Sequence, residues 1–325
     1  HQRQHLQQQP HAAVQASPET RIQPGACLKV SRVRFLHAPG WIRVSGDVTS
    51  EDVGIFGASY ISLVGSGDQQ LLGAGRLANF DIAKPSGDVL MSTFDRNFTQ
   101  VLVSAGQWNV LGNTVTSANG FLVRGGAVTG TGTLTGPVTV NAGAVLDPGL
   151  ETSGILNTGN LVLAAESELR MRVAGTATAG ADYDQVNVVG TVNVSNARLS
   201  LVGFPADPAD TTPIVLINND GADGVAGTFA DLPQNALVTL NGTDYRISYN
   251  GGTGNDVTLT SVNSGTATLA AVLAGGDLTV TDTSVTGEPN RFSVRVSGAN
   301  VVISDISEKF VAPAPAGAVL SDNDR

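Results

Sequence analysis

The sequence predicts an all-β protein: a β-solenoid, then an antiparallel β-meander, then a partial second β module. The first observation is composition. Charged residues make up 14% and glycine 39 of 325 positions, against roughly 25% charge in an average protein. Thr, Ser, Asn and Gly must therefore cover the surface, as in proteins built of short strands and tight turns. The second is spacing. Apolar triplets such as those in "TGTLTG", "PVTVNAG" and "AVLDPG" recur every six to ten residues between about 130 and 172. A sandwich places its turn signals roughly 8–12 residues apart, with strands of about 5–6. The tighter rhythm suits a coil of two or three short strands joined at bends. The third is the lack of any sustained helical period.

Four regions follow along the chain. Residues 1–40 hold all four histidines (His1, His5, His11, His37), Cys27 and most of the glutamines, and read as a disordered or non-native leader. Residues 41–175 carry the coils, from "YISLVGSG" and "NFDIAKPSG" to "NLVLAAESELRMRV". Residues 176–262 form the β-rich end of the module. In "DQVNVVGTVNVSNARLSLVG", Val186, Val188, Val192, Val194, Leu199 and Leu201 share one orientation by alternation. "ALVTLNGTDYRISYNGGTGNDVTLTSV" predicts a three-stranded meander, with Asn241-Gly242 as a type I′ turn signal. Residues 263–325 read as a linker and an incomplete module with strands in "DLTVTDTS", "RFSVRVSG" and "NVVISDIS". Starting at His1 and stopping at "AGAVLSDNDR", the chain reads as a piece of a longer protein.

The net charge of −10 and the three lysines, Lys29, Lys84 and Lys309, argue against a nucleic-acid partner, since phosphate would be repelled. No apolar run approaches the ~18 residues of a membrane span. One cysteine gives no disulfide framework, which fits a large bacterial exported protein.

"GGAVTGTGTLTGPVTVNAGAVLDPG" (Gly125–Gly149) resembles the autotransporter-associated β-strand repeat of Gram-negative passenger domains and giant surface proteins. "NTGNLVLAAESELRMRVAG", "YDQVNVVGTVNVSNARLSLVG" and "GGTGNDVTLT" resemble the segments downstream of it, and Gly67–Met91 resembles preceding coils, so the likeness spans about 45–260. The resemblance implies a right-handed parallel β-helix on a secreted or surface-displayed protein, extracellular or on the outer cell surface. It brings no shared catalytic residues. The residues after 260 do not read as the series of ~10-residue amphipathic strands expected of a translocator barrel.

Candidate chemistry is sparse. "GGTGND" (Gly251–Asp256) matches the start of a calcium-binding nonapeptide, but such sites need tandem copies, and the turn reading is preferred. In "NNDGADG" the oxygens of Asn218, Asp220 and Asp223 are the best calcium candidates, although no Glu closes a 12-residue loop and an Asx-rich surface loop is the plainer reading. No cofactor is required, and calcium is the one the sequence admits. Asp182 and Asp184 fall on one face of a strand start, where paired carboxylates could serve glycosidase chemistry, but with no third acid, histidine or lysine nearby in sequence the capping and solubilising reading is preferred. Glu168, Arg170 and Arg172 alternate with Leu169, Met171 and Val173. They suit a polar outer face, or an arginine base if acids reach it from another coil. After His37 there is no histidine, and no G-x-S-x-G elbow or zinc spacing occurs.

The expectation is a non-catalytic stalk or adhesive display segment of a large bacterial secreted or surface protein, facing extracellular polysaccharide or a host or matrix surface. The alternative is a polysaccharide-binding or polysaccharide-degrading β-helix, which would want Trp108 and tyrosines on the surface near Asp182 and Asp184.

Overall fold

The computed structural model describes residues 19–22, 28–34, 41–56, 60–73, 77–91, 96–203, 212–241, 243–262, 269–274, 277–282, 292–297 and 300–305. Among them every regular element is a strand. They form a parallel β-solenoid followed by antiparallel strands. From Phe121 to Asn219 each coil lays one short strand on each of three faces. Phe121–Val123, Val138–Val140, Leu161–Leu163 and Val192–Asn193 stack in parallel on the first. Ala127–Thr129, Val145–Asp147, Glu168–Val173 and Arg198–Gly203 stack on the second. Gly132–Thr135, Ile155–Thr158, Gln185–Val188 and Ile214–Asn219 stack on the third. Two longer strands bend around corners: Leu77–Met91 serves two faces and Arg96–Asn109 all three.

Alternation turns every second side chain inward, and parallel register places like on like. Val44, Leu63, Ile82, Val103, Val123, Val140 and Leu163 form one continuous inner column. All seven are fully buried, each contributing about 1.5–3 kcal/mol relative to exposure. Their spacing varies, as in the steps from 123 to 140 and from 140 to 163. Bends therefore absorb length differences while the strand register holds. Close stacking constrains those bends. Gly126, at φ 71°, lies over Gly106, and a Cβ there would sit 2.0 Å from the Gly106 carbonyl oxygen.

The stack begins before residue 41. Glu19–Ile22 pairs with Trp41–Val44, and Leu28–Arg34 with Val48–Phe56. Part of the segment that composition set apart thus extends the coils; the remainder of the expected leader lies outside the described residues.

At the other end pairing reverses. Ile214–Asn219 takes Gln185–Val188 in parallel on one edge and Asp256–Ser261 antiparallel on the other. Thr243–Gly251 and Leu237–Leu240 continue the meander. The reversal closes an edge that would otherwise template further pairing. Asn241 has φ 47°, as a type I′ turn needs; Gly242 lies outside the described residues. Leu269–Ala274 with Asp277–Asp282, and Phe292–Ser297 with Asn300–Asp305, form two separate hairpins. Among the described residues no helix is long and apolar enough to cross a membrane.

Candidate functional site

The densest ionisable cluster sits at the corner that follows Val145–Asp147. Here the chain turns through "DPGLETSG" before Ile155–Thr158, with Leu150 at φ 64°. Asp147 Oδ1 accepts the Leu150 N–H at 3.0 Å. Above it, Glu168–Val173 presents Arg170, whose Nη1 lies 3.8 Å from Asp147 Oδ2 and whose Nη2 lies 3.0 Å from Glu168 Oε1. Arg172 Nη2 donates to the Leu150 carbonyl at 3.1 Å. Asp184, fully buried, ties two coils together. Its Oδ1 accepts the Gly154 N–H at 2.8 Å and its Oδ2 the Arg172 N–H at 2.6 Å.

Burial pushes the Asp184 carboxyl up to about 6, against the pull of its two N–H donors and Arg172; the Asp147 charge adds to the rise. Burial also raises Asp147, opposed by Leu150 N–H, Arg170 and Arg172. The Asp184 carboxyl, raised to about 6 beside a second raised carboxyl and two guanidinium groups, could exchange a proton near that pH, or the cluster could hold an anionic sugar. Yet both Asp184 oxygens already serve backbone N–H groups, which is a structural employment.

The expected Asp182–Asp184 pair is corrected here. The strand begins at Gln185, and the two acids part. Asp182 is partly buried, and its Oδ2 accepts the Thr178 N–H at 2.8 Å, closing a local loop. Asp184 instead faces Asp147, which stacking delivers from a different coil. The Glu168, Arg170, Arg172 row does form the outer face, with Leu169, Met171 and Val173 fully buried beneath.

The two calcium-like stretches meet. Asn255 Nδ2 donates to the carbonyls of Asp220 (3.2 Å), Gly221 (3.4 Å) and Asp223 (3.1 Å). Asp256 Oδ1 accepts the Asn219 N–H at 2.9 Å, and its Oδ2 accepts Thr253 N–H at 2.8 Å. An amide nitrogen thus stands where a cation would gather the carbonyls. The three side chains singled out in sequence point to separate tasks. Asn218 Nδ2 donates to Asn187 Oδ1 at 3.1 Å, and Asp220 Oδ1 accepts the Gly190 N–H at 2.6 Å. Asp223 takes part through its carbonyl, which also accepts Asn219 Nδ2 at 2.7 Å. Among the described residues no three His, Cys, Asp or Glu side chains gather around a common point.

Sequence reasoning missed three features. Asn157, Asn187 and Asn218 form a ladder on the outer third face, Asn187 Nδ2 donating to Asn157 Oδ1 at 2.9 Å. Buried Lys84 donates to the carbonyls of Gly65 (3.0 Å) and Gly67 (2.6 Å) and to Gln69 Oε1 (2.9 Å). Trp108 is not on the surface: it is buried, stacked with Phe121 at 5.9 Å. Among the described side chains the outer aromatics are Trp41 and Tyr60, stacked at 4.6 Å, with Tyr60 O–H donating to Gln100 Oε1 at 2.6 Å. Their facing planes are closed to a sugar. Only the coil lengths, which run from 19 residues between Gly65 and Lys84 to 31 between Asn187 and Asn218, would have aligned these partners beforehand.

Fold and cluster together define a parallel β-solenoid whose buried polar groups hold its corners. In comparisons with protein families, curated proteins and solved structures, no match to this chain was found.

Proposed function

We propose that the chain is a non-catalytic stalk or adhesive display segment of a large bacterial secreted or cell-surface protein. It acts outside the cell and presents its outer faces to polysaccharide or to a host or matrix surface. The autotransporter-repeat resemblance of Gly125–Gly149 supplies the cellular context. The observation that carries the structural reading is Asp184: the most strongly perturbed carboxyl of the corner cluster has both oxygens on backbone N–H groups of Gly154 and Arg172. A group so employed stiffens the rod where two coils meet. Stacked coils then hold a distal function away from a surface, while Thr and Asn rows keep the rod soluble.

The second reading, a polysaccharide-active module, draws on the same corner, since Asp147, Asp184, Arg170 and Arg172 lie together. The purified chain is incubated with uronate-containing and neutral glycans, and new reducing ends and unsaturated uronates are followed. No turnover is expected. Turnover that Asp184→Asn abolishes in a folded protein would replace the stalk reading with the enzymatic one.

A further inference from the structure

We propose that the bond between Asp147 and Pro148 is a self-cleavage site: the Asp147 carboxylate attacks its own backbone carbonyl, and Asp184 supplies the proton that releases the Pro148 nitrogen. The products are two fragments, one ending at Asp147 and one beginning at Pro148, held together by the stacked coils. The inference goes beyond the stalk reading and does not depend on it.

The residue types mark the bond. An X–Pro link is a tertiary amide, so its nitrogen is more basic than an ordinary peptide nitrogen and leaves more readily once protonated. An aspartate before it carries a carboxylate able to close a five-membered ring on the carbonyl carbon, a nucleophile already in place. The chain has two such links, Asp147–Pro148 and Asp207–Pro208. The first falls in the ionisable corner; the second lies outside the described residues.

The corner supplies what the reaction needs. Asp147 and Pro148 are buried. The Asp147 carbonyl oxygen, where negative charge develops, accepts the Gly130 N–H at 3.0 Å, a donor of the oxyanion-hole kind. The Asp147 carboxyl folds forward over the turn, with Oδ1 on the Leu150 N–H at 3.0 Å. Leu150 sits at φ 64°, a strained conformation for a residue with a side chain. Asp184 arrives from a different coil. Its Oδ1 lies so close to Gly149 that a Cβ there would overlap it, which sets a carboxyl one residue past the scissile nitrogen. That oxygen accepts the Gly154 N–H at 2.8 Å, and a protonated carboxyl oxygen donates as well as accepts.

The charges around the pair divide the roles. Asp184 faces Asp147 and Arg172, and burial raises it to about 6. Burial also raises Asp147, but the Leu150 N–H, Arg170, Arg172 and the Gly149 N–H favour its ionised form. Glu168 shares Arg170. A protonated Asp184 beside an ionised Asp147 is the split that acid–base chemistry uses. The Asp147 carboxylate bonds to the carbonyl carbon, the C–N bond breaks, and the Pro148 nitrogen takes the Asp184 proton. One water opens the cyclic anhydride left on Asp147, and Asp184 regains a proton from solvent, so the net reaction is peptide hydrolysis. Ser153 Oγ and Arg172 Nε are buried at this corner with no hydrogen-bond partner among the described residues, polar positions suited to that water. Parallel pairing spans the cut, Gly132–Thr135 with Ile155–Thr158 and Val138–Val140 with Leu161–Leu163.

The purified full chain, held at about pH 5.5 and about pH 8 and followed by denaturing gel and intact mass, tests this. A fragment beginning at Pro148 should accumulate at least about tenfold faster at the lower pH, where Asp184 keeps its proton. It should also form at least about tenfold faster than the fragment beginning at Pro208, and urea should remove that preference. Asp147→Ala should abolish the cleavage, and Asp184→Asn should slow it at least about tenfold. Absence of the Pro148 fragment, equal cleavage at the two Asp–Pro bonds in the folded protein, or a rate flat between the two pH values overturns the proposal, and none of these readings needs a variant to fold. An unchanged rate in folded Asp184→Asn overturns it as well.

Discussion

Asp184 offers the sharpest test of the corner. Its folded carboxyl is raised to about 6 from an ordinary 3.8. The folded protein therefore binds this proton more tightly than the unfolded chain, and acidification through that window stabilises the fold. Between pH 7.5 and 4.5 the proton is taken up over about 1.5 units below the folded value, which is about 2 kcal/mol of linked stability. Asp184→Asn removes the titration and keeps the shape. It also leaves one backbone N–H facing an amide N–H₂, a loss of about 1.5–3 kcal/mol for a charged acceptor. At pH 7.5 that loss is offset by relief of the buried charge, so the variant should lie within about 1 kcal/mol of wild type. At pH 4.5 the variant should fall about 2 kcal/mol further behind. Urea unfolding of both proteins at both pH values, followed by circular dichroism, measures the double difference; the raised Asp147 titrates in both and largely cancels. Parallel pH profiles would refute the buried-carboxyl argument.

Further outcomes follow from the same geometry. Lys84→Met leaves three acceptors at a buried corner without their donor, and should destabilise the fold by about 2–4 kcal/mol, with faster amide exchange at Gly65–Gln69. Asn187→Ala breaks two ladder bonds and Asn218→Ala one, so in thermal melts the first should cost about 1–2 kcal/mol and the second about half as much. Gly126→Ala forces a Cβ against the Gly106 carbonyl oxygen from a positive φ, and should lower stability by more than about 2 kcal/mol. With Asn255 Nδ2 already gathering the carbonyls of Asp220, Gly221 and Asp223, melting in EDTA and in millimolar calcium should coincide. A calcium-dependent rise would point to ligation at Asn218, Asp220 and Asp223.

Strand rhythm, inward alternation and the meander were legible because they depend on neighbours two residues apart. Leu169, Met171 and Val173 face inward for that reason, and Asn241 turns the hairpin because it tolerates a positive φ. The corner cluster was not legible. Asp147 and Asp184 lie 37 positions apart (184 less 147), and only stacking of coils of unequal length brings them together. Asp182 looked like the natural partner because adjacency was the only distance the sequence offered. The sequence leaves open whether Trp108 lies on the surface beside these acids, because its face depends on register across coils, which a single strand cannot declare.

Taken alone, the sequence determined that this chain would be all-β, would coil in short strands, and would reverse into a meander near residue 237. These follow from local period, glycine bends and the scarcity of charge. Tertiary structure decided which polar groups are structural. Parallel stacking sets residues 17 to 30 positions apart side by side, so Asn157 finds Asn187, Lys84 finds the Gly65–Gly67 turn, and Asp184 finds Gly154. It also decided where stacking stops, because an edge is closed or open according to what lies one rung above it.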